Sequence, residues 1–410
     1  MNLRRIRRFR FNRPQRIAAG LLALFLLQGL WLIGRQSLTA RDYQYARCGR
    51  ELWERPAQLQ GSLTSCGLIR DGILAYRLAG LPLTLNLLTE RALDPFRSPE
   101  NRIAQTDGQL SSWELRHQLT YTLFLLRLPF LAAGCLLGAG LWWVTRRLYG
   151  NLGGYTALAL YCFSPAILKA SLSPNPEILA SLGLYGGVYT AIGVAHAMQG
   201  PRNPGPPATG LRRWGGKWLP RILLLTFAFT LAAAAHLAAL AIAALLGLAI
   251  MLWIAEGRRL LLPPVLCATV AGALLLLFAG YSFSPNAFAS IHSLSFSLTL
   301  DPARRFFSAP ANAGMTIAAI AALVLYLCSA RSRYFGNSVP LLCATILVAL
   351  TMTSVPAAPW LWALPFLFTF IAGAFADAYE SPKGRLAMGV AAALILLQAV
   401  LCVLSLPRLL

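Results

Sequence analysis

The sequence predicts an all-α polytopic membrane protein with about eleven transmembrane helices and an external first loop that carries interfacial helices. Three observations lead there. The first is composition: of 410 residues 57% are hydrophobic and only 12% charged. The mean hydropathy of +0.60 is one that no soluble domain of this length has. The second is a succession of apolar windows, each long enough to cross about 30 Å of hydrocarbon. The third is charge placement. The formal charge of +22 gathers at the N-terminus and in short connectors between windows, as it does in the cytoplasmic loops of membrane proteins. Aromatic stacking motifs and soluble basic modules are absent, so the charge does not indicate nucleic acid.

The opening MNLRRIRRFRFNRPQR, residues 1–16, is a basic cytoplasmic segment. The apolar stretch 17–34 after it is long for a signal-peptide core and has no small-x-small cleavage site behind it, so it reads as the first span. The other windows fall near 122–144, 152–168, 178–198, 221–236, 237–254, 261–281, 313–329, 338–355, 359–376 and 386–405, the fifth and sixth nearly continuous through His236. With the N-terminus inside, the cytoplasmic turns carry Arg146 and Arg147; Arg212, Arg213 and Lys217; Arg258 and Arg259; Arg331 and Arg333; and Lys383 and Arg385. An odd number of spans puts the C-terminus outside.

The first loop, 35–121, holds nine of the fourteen acidic residues and is external on this topology. Within it, 67–88 is apolar but contains Arg70, Asp71 and Arg77, which suits a helix lying in the interface. A second short helix is expected where SSWELRHQLTYTLFLL enters the next span. The domain division that follows is an N-terminal unit 17–199, a Pro/Gly-rich cytoplasmic connector 200–220, and a C-terminal unit 221–410 with an external loop 282–312. No internal repeat of the transporter kind is present.

The candidate site residues lie on the external side. Asp42, just after the first span, reads either as a general base for a substrate hydroxyl or as a loop aspartate paired with Arg41 or Arg47. Glu177 opens a helix after SPNP and reads either as a residue facing a shared external cavity or as an N-terminal cap. Lys169, Arg304 and Arg305 can bind a lipid phosphate or simply contact headgroups. Of the eight cysteines, Cys48 and Cys66 alone lie in a polar loop, where they form a disulfide or remain free thiols. No cysteine–histidine cluster indicates a metal, and no cofactor is implied.

Residues 126–187 carry an ordered set of short motifs: Arg127-Leu128-Pro129, Arg146-Arg147-Leu148-Tyr149-Gly150, Gly153-Gly154, Ser164-Pro165 and Pro176-Glu177. This block resembles the second-to-fourth-helix region of GT-C membrane glycosyltransferases, the relatives of protein O-mannosyltransferases and of the lipid A aminoarabinose transferase. PWLWALPFL (359–367) is similar to a late segment of the same family. The resemblance implies a GT-C-type bundle in the bacterial inner membrane. It also implies a lipid-linked sugar donor on a polyprenyl phosphate, with Asp42 as base and Glu177 as the second acid. The family's first-loop Asp-Glu pair is Arg41-Asp42 here, and its Glu-His-Pro-Pro stretch is missing. The alternative is therefore a non-catalytic GT-C-fold subunit with membrane-protein partners. Membrane lipids surround the chain on either reading.

Overall fold

The computed structural model describes residues 12–54, 72–93, 119–198, 219–254, 259–285, 288, 296–352, 360–381 and 384–409. Residues 1–11, positions 200–218 of the connector 200–220, Cys66, and positions 111–118 of the short helix expected over 111–126 lie outside the described residues.

The first span is α1 (Arg13–Ile33), entered through Asn12 and Gln15, whose side chain accepts from the Asn12 N–H at 2.9 Å. The first loop contributes α2 (Ala40–Glu54) and α3 (Ile73–Leu93). These two helices cross at Gly49 and Gly80, where a Cβ on either would run into the other's backbone. Beside the crossing, the Tyr45 and Tyr76 rings stack 4.1 Å apart. The expected interfacial helix is present, shifted toward the C-terminus. Its Ile73, Ala75, Tyr76, Ala79 and Leu83 are buried, so its apolar face covers protein.

The next two windows form one 44-residue helical element, α4 (Leu119–Cys162), broken at Gly150 with φ 74° and ψ −169°. The two arms fold against each other: the Tyr161 hydroxyl donates to the Gly134 carbonyl at 2.5 Å, and Gly154 abuts Arg146 and Trp142. Only glycine takes that backbone conformation readily.

After the short α5 (Pro165–Leu172), α6 (Glu177–Met198) runs back through the bundle. The nearly continuous fifth and sixth windows become α7 (Leu219–Ala235) and α8 (Leu237–Ile254), with His236 alone between them. They form a hairpin, because Gly187 of α6 faces both Phe229 of α7 and Ala243 of α8.

The rest comprises α9 (Leu262–Gly280), β1 (Phe296–Leu298), α10 (Asp301–Ser308), α11 (Ala313–Cys328), α12 (Phe335–Ala349), β2 (Leu350–Met352), α13 (Trp360–Tyr379) and α14 (Gly384–Ser405). A 3₁₀ turn, Leu406–Leu409, follows α14. The window expected at 338–355 is helical only to Ala349. From Leu350 it pairs antiparallel with β1, Leu298 opposite Leu350.

Among the described residues, eight helices are long and apolar enough to cross a membrane. Counting α4 twice and adding the shorter apolar α7 and α12 accounts for all eleven windows. Helix α13 is the buried centre, with Trp362, Phe366, Phe368 and Phe370 at its core, while α14 faces largely outward.

The helix ends gather on two faces. One face brings together the ends of α1 and α9 with the starts of α2, α4, α6 and α13. The opposite face holds the Gly150 turn and the α11–α12 turn. There the Tyr149 hydroxyl donates to the Gly336 carbonyl at 2.5 Å, and Asn337 donates to Asp377 at 2.7 Å. Arg146 and Arg147 lie over Trp142 and Trp143 on this second face, and Arg331 pairs with Glu380.

Candidate functional site

Two buried polar clusters occupy the first face, and each is built around one of the predicted carboxylates. Thr39 precedes α2 and Asp42 is the third residue of that helix, the spacing of a capping box. The Asp42 N–H donates to the Thr39 hydroxyl oxygen at 3.1 Å. Asp42 Oδ2 accepts from the Thr39 N–H at 2.9 Å and from its hydroxyl at 2.7 Å. The cation is Arg127 of α4, rather than Arg41 or Arg47. Its Nη2 reaches Oδ2 at 2.5 Å and its Nε reaches Oδ1 at 3.2 Å, a two-pronged fork. Asp42 is 1% and Arg127 3% exposed.

Arg127 has further acceptors. Nη1 donates to Gln36 Oε1 at 2.7 Å and Nη2 to the Ser37 carbonyl at 3.3 Å. Gln36 Nε2 in turn donates to the Leu409 carbonyl at 2.7 Å, which orients the amide so that its oxygen faces the guanidinium. The terminal turn is thereby tied to the loop after α1. Oδ2 accepts three hydrogen bonds and Oδ1 one, so the acceptor site left for a base role is on Oδ1.

The second cluster surrounds Glu177. This residue is 1% exposed, so it does not face an open external cavity as the sequence suggests. The Trp362 indole N–H donates to Oε2 at 2.7 Å. His236 Nε2 stands 3.4 Å from Oε1 but is not aligned for a hydrogen bond, and neither ring nitrogen has a partner among the described residues. The Glu177 N–H donates to Asn175 Oδ1 at 3.1 Å.

The electrostatic reason for burying a carboxylate here lies in the helices. Glu177 is the first residue of α6, His236 immediately precedes α8, and Trp362 is the third residue of α13. Three helix N-termini, each carrying about half a positive charge, therefore meet near one anion.

The partners of Asp42 and those of Glu177 share no residue. The two carboxylates thus anchor separate clusters on one face. Lys169, near the end of α5, and Arg304 and Arg305, on α10, are exposed, and none pairs with an acidic side chain among the described residues. Helical spacing explains α10: Ala303 and Phe306, three residues apart, are buried while the two arginines between them are exposed. Cys48 is buried in α2 and disulfide-bonded; its expected partner, Cys66, lies outside the described residues. Cys135, Cys162, Cys267, Cys328, Cys343 and Cys402 are free. Among the described residues no group of three or more His, Cys, Asp or Glu side chains is placed to hold a metal.

Sequence reasoning gave no role to Arg127, Gln36, His236 or Trp362. Two signals were available. Thr39-x-x-Asp42 has capping-box spacing, and Arg127 is a lone charge within an otherwise apolar window. Nothing local marks Trp362 as the partner of an acid 185 positions earlier.

No family model and no curated protein matches this sequence. Among solved structures, ArnT from Cupriavidus metallidurans in the apo state matches with a TM-score of 0.53 and 14% identity, over 92% of this chain and 62% of that one. ArnT from the same organism bound to undecaprenyl phosphate matches with the same score and identity, over 96% of this chain and 72% of that one. The chain therefore spans less than two thirds of the apo ArnT chain. At this identity the likeness speaks to architecture. The protein has the GT-C membrane fold of ArnT, the lipid A aminoarabinose transferase, across nearly its whole length.

Proposed function

We propose that the protein transfers a sugar from a polyprenyl-phosphate carrier to an acceptor on the external face of the bacterial inner membrane. The observation that carries this reading is the shared fold with a protein bound to undecaprenyl phosphate, over 96% of the chain. Asp42 supports it. The carboxylate lies at the head of α2 on the face where a lipid-linked sugar would present its anomeric carbon, and it is held by a fork and a capping box. In this role it takes the proton of the acceptor hydroxyl as the anomeric carbon is attacked. The exposed Lys169, Arg304 and Arg305 supply positive charge to the carrier's phosphate. Glu177 holds α6, α8 and α13 together beneath that face, a supporting role rather than one in contact with substrate. The basic turns support a cytoplasmic N-terminus and an external C-terminus.

The test uses purified protein in lipid nanodiscs and a panel of undecaprenyl-phosphate-linked sugars, with release of undecaprenyl phosphate as the readout. Wild type should release it with at least one donor, and Asp42→Asn should not. Equal release by both proteins would remove Asp42 as the base, and absence of release with every donor would remove the catalytic reading.

One observation favours a second reading, that of a non-catalytic subunit. Both Asp42 oxygens are engaged within the protein, and Glu177 is closed off from solvent. On that reading the carrier is not consumed, and co-purification from native membranes yields a stoichiometric membrane partner.

A further inference from the structure

Arg127 is a buried cation whose anionic partner is the very carboxylate proposed to receive a proton. The transfer therefore changes the charge it faces. As the acceptor oxygen bonds to the anomeric carbon, the bond from that carbon to the phosphate oxygen breaks and its electron pair leaves with the phosphate. The acceptor's proton passes to Asp42. The carboxylate thereby becomes neutral, while the carrier changes from a singly charged phosphodiester to a monoester carrying about −1.5 to −2. One negative charge has moved from Asp42 to the phosphate.

A guanidinium cannot follow by losing its own proton, since it stays charged throughout the accessible pH range. Left facing a neutral acid in a dry setting, it would be an uncompensated buried charge, which is strongly unfavourable. Its planar fork suits a phosphate as well as a carboxylate. We propose that Arg127 is the charge-compensating residue of this site, partner of the Asp42 carboxylate before transfer and of the carrier's phosphate monoester after it. The inference rests on the carrier-dependent reading above.

The surroundings permit such an exchange. The Arg127 fork is covered on one side by the segment before α2, where Ser37 and Thr39 are exposed and Gln36 is partly exposed, so the cluster lies one residue beneath the surface. Its two remaining acceptors, Gln36 Oε1 and the Ser37 carbonyl, are neutral and tether the guanidinium while its anion changes.

The test is binding of undecaprenyl phosphate to the full chain in nanodiscs, followed by native mass spectrometry. Asp42→Asn imitates the neutral, proton-bearing acid. It should bind the monoester about tenfold more tightly than wild type or better, the scale of one charge-assisted hydrogen bond. Either single change leaves one buried charge without its partner, Arg127 in Asp42→Asn and Asp42 in Arg127→Gln, so binding by Asp42→Asn is read on the fraction that elutes as folded protein. The comparison therefore uses Asp42→Asn/Arg127→Gln, which buries no charge and should lose the gain. A merely structural fork would show no gain in Asp42→Asn, or a gain that persists in the double variant, and either outcome overturns the role of Arg127. Saturable binding by wild type without the gain leaves the carrier-dependent reading standing. Absence of saturable binding in all forms, wild type included, removes that reading and this inference together.

Discussion

At the scale of single residues, the informative contrast is between two buried carboxylates solved in different ways. Asp42 is balanced by a formal charge, the Arg127 fork, and by its own helix cap. Glu177 is balanced by helix ends and an indole N–H. The two should answer differently to substitution. Asp42→Asn keeps the cap's shape but removes the charge, and transfer should fall by about 10²–10⁴, as it does when a general base is lost. Release of undecaprenyl phosphate measures this, with a size-exclusion profile to check folding. Trp362→Phe keeps the ring in the core and deletes one hydrogen bond to a charged acceptor. It should lower stability by about 1.5–3 kcal/mol, readable as a shift in thermal unfolding in detergent. If Trp362→Phe left the unfolding temperature unchanged, Glu177 would not depend on the indole.

At the scale of elements, two hairpins turn on a single residue, Gly150 within α4 and His236 between α7 and α8. The Gly150 turn rests on a backbone conformation that only glycine adopts readily, with open space around its Cα. Packing therefore cannot explain the glycine, but φ of 74° with ψ of −169° can. Gly150→Ala should cost about 1–3 kcal/mol by backbone strain alone, seen as an earlier unfolding transition, whereas Gly140→Ala, also in open space but at a helical position, should be silent or mildly stabilising. The α2–α3 crossing is the opposite case. Gly49 and Gly80 are backbone against backbone, and a larger residue at either must separate the two helices. Gly49→Val should therefore loosen the first-loop pair and expose Cys48, increasing its alkylation after mild reduction.

For the whole molecule, two faces of different chemistry settle what can be tested about orientation. One gathers the Asp42 and Glu177 clusters. The other holds the Gly150 and α11–α12 turns with Arg146, Arg147, Arg331 and Arg333. Single cysteines placed at Thr39 and at Asn151 in an otherwise cysteine-free background should label from opposite sides of intact cells, Thr39 from outside. Labelling of Asn151 from outside would invert the topology and, with it, the compartment of the proposed reaction.

Read along the chain, hydropathy and charge were sufficient for the class of protein and the eleven windows, because each depends only on local composition against a fixed bilayer thickness. The ordered motifs from Arg127 to Glu177 pointed to the fold that the ArnT structures share. Short-range signals also located Glu177 at a helix start, whereas Asp42, read as a residue of the loop after the first span, proved to be the third residue of α2. What they could not supply was the partner of each. Arg127 lies 85 positions from Asp42, and Trp362 lies 185 from Glu177. A window scan sees neither pairing. His236, which looked like the middle of a continuous apolar run, is the turn of a hairpin, and 350–352 left its helix to pair with β1. In each case the outcome was decided by which helix ends the bundle brings together. That is a property of packing, where a buried charge must find its counter-charge wherever in the chain it occurs.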